Sequence, residues 1–248
     1  MCTDRLRQVL LEIVPDHPVW IEARAALLDR ECRLFGDERG YAIRSDRLRL
    51  GGIGGAASEA LVLEAFSDIG GHQESGEWAV VIPKGFTSDA RLALATWNAT
   101  EADIFREPAG GLSTPERVSG ADIRLPGAAT AADLEHLPGP LADELWEALE
   151  RTDLAAAWVD GRAVSFCYVA CETDTLWDIS INTAEGYRRR GLAAATVGFL
   201  ADRMRSRGKS AVWGAHSWNV ASRTLAGELG FEPAGRLFLF ENSPAGAH

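Results

Sequence analysis

The sequence predicts an α/β (α+β) protein: a mixed central sheet flanked by helices over residues 118–248, preceded by a smaller α/β domain over residues 1–117. Three observations predict it. Residues 154–159, 162–171 and 175–182 are apolar runs of strand length, and the first two are joined by Asp160-Gly161, a strong hairpin signal. Residues 190–207 then place Leu192, Ala195, Phe199, Leu200 and Met204 at helical spacing. Residues 106–120 (REPAGGLSTPERVSG) are rich in Gly, Pro, Ser and Thr and have no periodicity, which sets the boundary between the two parts at 117/118.

In chain order, Leu6, Val9, Leu10 and Ile13 predict a helix over 4–14 that ends before Pro15. Ile21, Ala25, Leu28 and Cys32 predict a second over 18–34. Residues 40–50 read as a hairpin with Ser45-Asp46 at its turn. Gly51-Gly52-Ile53-Gly54-Gly55-Ala56-Ala57 follows, then a helix to about Phe66. Gly52-x-Gly54-x-x-Ala57 fits a loose dinucleotide pattern. No repeating βαβ pattern continues it, so a flexible turn is the better reading and a decayed copy of the second half the alternative. Residues 77–83 predict a strand, 87–97 a helix, 121–125 a strand and 130–150 two short helices broken at Pro138-Gly139-Pro140. After the strand at 175–182 come the helix over 190–207, capped by Gly208, a strand over 210–216, a helix over 219–229 closed by Gly230, and a last strand over 235–241.

A chain of 248 residues can bury a real core. Its formal net charge of −11 argues against a general nucleic-acid binder and leaves room for a cationic small partner such as an amine. The four cysteines, Cys2, Cys32, Cys167 and Cys171, form no CxxC pair and have no His at metal spacing, so no metal site is expected. Cys167 and Cys171 share one side of a predicted strand as small buried hydrophobes. No apolar run approaches the roughly 20 residues of a membrane span, and no signal peptide is visible. The expectation is a cytoplasmic protein, monomer or homodimer, with no membrane partner.

The chemistry concentrates at residues 175–231. The strand carrying Trp177, Ile179 and Ile181 leads into Arg188-Arg189-Arg190-Gly191-Leu192-Ala193-Ala194, where a helix starts. A basic, glycine-containing turn at a helix start is an anion site, because free N–H groups and the helix dipole face the ligand there.

This order of elements, with these residues at its centre, resembles the GNAT superfamily of acyl-CoA-dependent N-acetyltransferases. Arg188-x-x-Gly191-x-Ala193 meets the family's cofactor signature, and Thr183-Ala184-Glu185-Gly186-Tyr187 occupies its lead-in. Asn219-x-x-Ser222-x-x-Leu225, then Leu229-Gly230-Phe231, matches its second motif, with the usual eleven residues from Asn219 to Gly230. Trp213-Gly214-Ala215-His216 through Asn219 is more loosely similar to the subgroup containing zwittermicin-resistance acetyltransferases. The resemblance covers about residues 118–245.

It implies acetyl-CoA as cosubstrate, with no metal. The backbone N–H groups of Arg189 to Ala194 would cradle the pyrophosphate, and Arg188, Arg189 and Arg190 would add charge. The loop residues Gly191, Leu192, Ala193 and Ala194 therefore count as cofactor-binding. Ile181, Asn182 and Thr183 would pair with pantetheine through their main chains, as an added strand would. Asn219 and Ser222 would contact the pantetheine arm or the pyrophosphate; Asn219 could equally be a helix cap.

An amine must lose a proton before it attacks a thioester, so a base is needed. The family often places a carboxylate six positions before the residue matching Thr183, which here is Trp177. Asp178, one residue on, is the acid in this strand; a bulge in the strand would restore its parity. His216, ending the next strand, is the second candidate. The family's usual general acid, a Tyr directly after Leu225, is Ala226 here, which leaves Ser222, Tyr187 or a water. The expected function is acetyl transfer to a small-molecule amine by direct attack; the alternative is a catalytically weak acyl-CoA sensor or partner-binding module on the same scaffold.

Overall fold

The computed structural model describes residues 2–69, 77–84, 88–115, 118–126 and 134–242. The chain divides into two compact units. One comprises Met1–Ile104, Gly214–Val220 and Pro233–His248, and the other Phe105–Trp213 and Ala221–Glu232. Compactness therefore divides the chain after Ile104, ahead of the connector in which the sequence places a boundary.

In the first unit α1 (Cys2–Ile13) is followed by a 3-10 turn at Pro18–Trp20 and by α2 (Ile21–Leu28). The helix expected over 18–34 stops at Leu28, because Arg33–Asp37 is instead a strand, β1, paired antiparallel to β2 (Gly40–Ser45). The sequence reading missed β1. Next, β3 (Leu50–Gly55) pairs antiparallel with β2 along its whole length. The glycine run is thus a strand and not the flexible turn expected of it. Its glycines are required by crowding: a Cβ would overlap the Phe66 ring at Gly51, Ala23 at Gly52 and the Tyr41 ring at Gly54. After α3 (Glu59–Phe66) comes β4 (Ala79–Pro83), parallel to β3 through Leu50↔Ala79, Gly51↔Val80 and Gly52↔Val81. Then come α4 (Ser88–Ala93) and β5 (Asn98–Arg106), a strand the sequence reading did not find. Ala42, Ile53, Val62, Phe66, Val80 and Ile82 are buried together as one core cluster.

The second unit begins its regular structure with β6 (Asp122–Arg124). Of the two short helices expected over 130–150, residues 130–133 lie outside the described residues; α5 (Gly139–Arg151) is one amphipathic helix. β7 (Leu154–Val159), β8 (Arg162–Glu172) and β9 (Leu176–Thr183) form an antiparallel meander. A 3-10 turn at Glu185–Tyr187 leads to α6 (Leu192–Arg205), then β10 (Ser210–His216), α7 (Val220–Glu228) and β11 (Glu232–Glu241). Strand order here is β10-β9-β8-β7-β6.

Two helices sandwich the meander. Leu145 and Ala148 of α5 are buried with Leu154, Ala156 and Phe166. Leu192 of α6 is buried with Ala157, Val159 and Val164 on the other face. Phe199, expected inward, is exposed on α6, whose buried side is Leu192, Ala195, Val197, Leu200 and Met204. Cys167 and Cys171 are buried thiols outside any disulfide, and burial pushes the Cys167 thiol well up, so it is inert. The last strand returns to the first unit: β11 pairs antiparallel with β4 from Leu237↔Pro83 to Glu241↔Ala79. That return is why the first unit holds residues from the end of the chain.

Candidate functional site

β9 is paired unequally on its two edges. Along β8 it is paired as far as Ser165↔Thr183. Along β10 the parallel register comprises Ser210↔Leu176, Ala211↔Trp177 and Val212↔Asp178 and stops there. From Ile179 to Thr183, β9 therefore carries backbone donors and acceptors along an edge with no registered strand partner among the described residues. Such an edge accepts an extended amide-bearing chain as one more strand. Ile181, Asn182 and Thr183 all lie on this stretch and are half-buried.

The stretch runs directly into the basic turn. Arg189 stands at φ 59° and Gly191 at φ 76°, two left-handed positions two residues apart. Arg189 pays a conformational penalty there that glycine would not, and such strain collects at ligand clamps. Added Cβ atoms at Gly191 would meet Val118 only at 3.7 Å, so the positive φ, not space, requires the glycine. Gly191 is the N-cap of α6 with no side-chain cap, and its carbonyl receives Ala195 N–H at 3.1 Å. The N–H groups of Leu192, Ala193 and Ala194 precede that first helical bond. The arginines are exposed and differently held: Arg188 Nε donates to the Thr183 carbonyl at 3.2 Å, and the Arg190 guanidinium lies 5.3 Å from the Tyr187 ring centroid. The turn thus presents the N–H groups of a helix's first turn, a helix dipole and cationic side chains at one place.

Asp178 stands where the β10 register ends. The irregularity in this part of the sheet lies between Val169 and Glu172, which face Ile179 and Trp177. The extra residue belongs to β8, so the bulge expected in β9 is not there to shift the parity of Asp178. Asp178 consequently keeps the face of Ser180 and Asn182, and Trp177 is fully buried on the other face.

That face holds a constellation the sequence reading missed. Glu144, exposed on α5, accepts a hydrogen bond from Tyr168 Oη of β8 and one from Asn182 Nδ2 at 3.3 Å. Tyr168 also hydrogen-bonds Ser180, and the charge of Asp178 acts on it. Burial first, then the Glu144 charge, pushes the Tyr168 phenol well above its ordinary range, so it stays a proton-bearing donor. No local signal marks Glu144; its partners are 24 and 38 residues away.

The remaining candidates separate. His216 and Asn219 belong to the first unit, and Asp178, Ser222 and the basic turn to the second. His216 Nδ1 is 3.0 Å from Thr100 Oγ1, and the ring stacks on Trp218 with centroids 5.1 Å apart. Asn219 immediately precedes α7, and its N–H bonds the His216 carbonyl at 2.8 Å. Ser222 Oγ accepts from Trp213 Nε1 at 3.0 Å. Ala226, at the position of the family's usual acid, is wholly buried. Among the described residues no group of three or more His, Cys, Asp or Glu is placed to hold a metal ion. None of their helices is long and apolar enough to cross a membrane.

Residues 155–239 match the family described as GNAT acetyltransferase. No curated protein matches the chain. Among solved structures it is similar to a GCN5-related N-acetyltransferase-like protein from Streptococcus suis, at 16% identity and a TM-score of 0.63, covering 96% of this chain and 99% of that one. It is also similar to a GCN5-related N-acetyltransferase from Kribbella flavida, at 14% identity and a TM-score of 0.56, over 95% and 94% of the two chains. A tandem GNAT protein from the clavulanic acid biosynthesis pathway shares 12% identity at a TM-score of 0.54, over 98% and 96%. These likenesses establish the GNAT fold.

Proposed function

We propose that this chain, whose residues 155–239 match the GNAT acetyltransferase family, transfers acetyl from acetyl-CoA to a small-molecule amine. The observation that carries the reading is the one-edged pairing of β9 beyond Asp178, running straight into the strained turn at Arg188–Ala194. The residues present fit acetyl-CoA. Pantetheine takes the edge of Ile181, Asn182 and Thr183. The pyrophosphate takes the N–H groups of Arg189 to Ala194 with charge from Arg188, Arg189 and Arg190. Ser222, in the same unit as the turn, serves the same ligand. Acetyl-CoA supplies an activated acyl group as a thioester. The chain's own residues hold it, orient it, and move protons: a backbone N–H of the β9 edge polarises the carbonyl, and Asp178 takes the amine proton. The protein works in the reducing cytoplasm.

A second reading, a catalytically weak acyl-CoA sensor, is favoured by the buried Ala226 and by the bond that already engages Ser222. Amine-dependent release of CoA, assayed over a broad amine panel, separates the two. Release that falls in Asp178→Asn supports transfer; acetyl-CoA binding with no release across the panel supports the sensor.

We also propose that residues 1–117 are a degenerate GNAT-like half. Among the described residues the order β1-β2-β3-α3-β4-α4-β5 repeats β7-β8-β9-α6-β10-α7-β11, and the parallel register of β3 with β4 holds three pairs, as does that of β9 with β10.

A further inference from the structure

We propose that Glu144 is the acceptor-binding carboxylate of this site and that it selects an amine in its protonated, ammonium form. The proposal rests on the acetyl-transfer reading and names its substrate class.

Glu144 is exposed, so a solute reaches it, yet two donors from two different strands fix it. Both donors favour the ionised carboxylate. Tyr168 cannot relinquish its proton at neutral pH, so the bond runs in one direction only, phenol to carboxylate. The second donor, Asn182, lies on the β9 stretch whose other edge is without a registered partner among the described residues. A fixed negative charge therefore stands over the strand that the acyl donor would line. Asp178, on the same face of β9, adds a second negative charge near Tyr168. A neutral amine gains an ordinary hydrogen bond from this arrangement; an ammonium gains a stronger bond between opposite charges, to a carboxylate whose geometry is already set. The acidic balance of the whole chain, net −11, draws the same class of solute. Tyr168 acts through Glu144 and is a positioning residue.

A mere clamp holding α5 on the sheet would need the hydrogen bonds and not the charge. Glu144→Gln separates the two, because glutamine keeps an acceptor for Tyr168 and Asn182 and loses the charge. The probes are n-butylamine, tyramine, spermidine and kanamycin, with CoA release followed for whichever turns over fastest. In Glu144→Gln the amine KM is expected to rise at least about tenfold, the worth of one lost charged contact, with acetyl-CoA affinity by calorimetry unchanged. Wild-type amine KM should rise as pH passes the probe's own pKa, and this dependence should vanish in the variant. Tyr168→Phe, which keeps the charge, should raise amine KM by only about threefold. Turnover by the wild type with an amine KM within twofold in Glu144→Gln overturns the ammonium role alone. Acetyl-CoA binding without release for any of the four amines overturns this proposal together with the transfer reading.

Discussion

The turn after β3 and the turn after β9 begin alike and end differently. Each follows the last strand of an antiparallel meander, each leads to a helix, and each strand pairs in parallel with the strand after that helix over three residues. After β3, α3 starts within a few residues. Ser58 caps it, its Oγ accepting from Leu61 N–H at 3.3 Å, and Glu59 occupies the first turn. The helix start is thus closed by its own side chain and carries a negative charge. After β9, the chain spends a longer loop, three arginines and two left-handed residues, and leaves the N-cap of α6 without a side-chain bond. The strands also differ. Crowding by Phe66, Ala23 and Tyr41 fills the space around β3, and only glycine fits. The lesson is that a strand, turn and helix make a scaffold; the cap residue and the charges beside it decide whether the scaffold is an anion site.

Replacing Arg188, Arg189 and Arg190 together by Ala should break the contrast most severely. Acetyl-CoA affinity should fall about 100-fold, and its salt dependence should flatten, when measured by calorimetry at two ionic strengths. Next in size is a pH effect in the first unit. Glu22 on α2 has its carboxyl raised from 4.5 to about 7, chiefly because burial penalises the charge. The folded chain holds that proton more tightly than the unfolded one. The stability it contributes is whole below pH 4.5 and is lost as pH rises through about 7. Urea denaturation followed by first-unit probes should show a loss of about 2 kcal/mol between pH 4.5 and 7.5, absent in Glu22→Gln.

Asp153 in the second unit behaves in the opposite sense. Burial pulls it up, but hydrogen bonds and charge from Arg207 and Arg203 outweigh burial and hold it below its ordinary 3.8. Its contribution is present above that value and lost only in stronger acid.

Gly191→Val, forced to hold a left-handed φ at about 1–2 kcal/mol, should weaken acetyl-CoA by about tenfold with little change in fold. Smallest is Ser58→Ala, which should lower thermal stability by about 1 kcal/mol and leave acetyl-CoA affinity where it was. A change in affinity on this last substitution would mean that the first turn binds the ligand too.

Legibility in the sequence followed locality. The hairpin at Asp160-Gly161, the helix at Leu192 and the strand at Ser210 carry their own periodicity and turn chemistry, and the structure places them within a residue or two of expectation. β5 opens with Asn-Ala-Thr-Glu and has no clean alternation, so it reads as connector. The glycines of β3 read as a turn because their reason is the bulk of Phe66, Ala23 and Tyr41, distant in sequence. At the site, the basic turn was legible because a phosphate cradle is a contiguous motif. Glu144 was not, because it acquires meaning only from Tyr168 and Asn182 on two other elements.

The most direct measurement is a calorimetric titration of acetyl-CoA into the intact protein. One site per chain is the predicted result, since one turn is open and basic and the other is capped and acidic. Two sites per chain, or no binding, would contradict it.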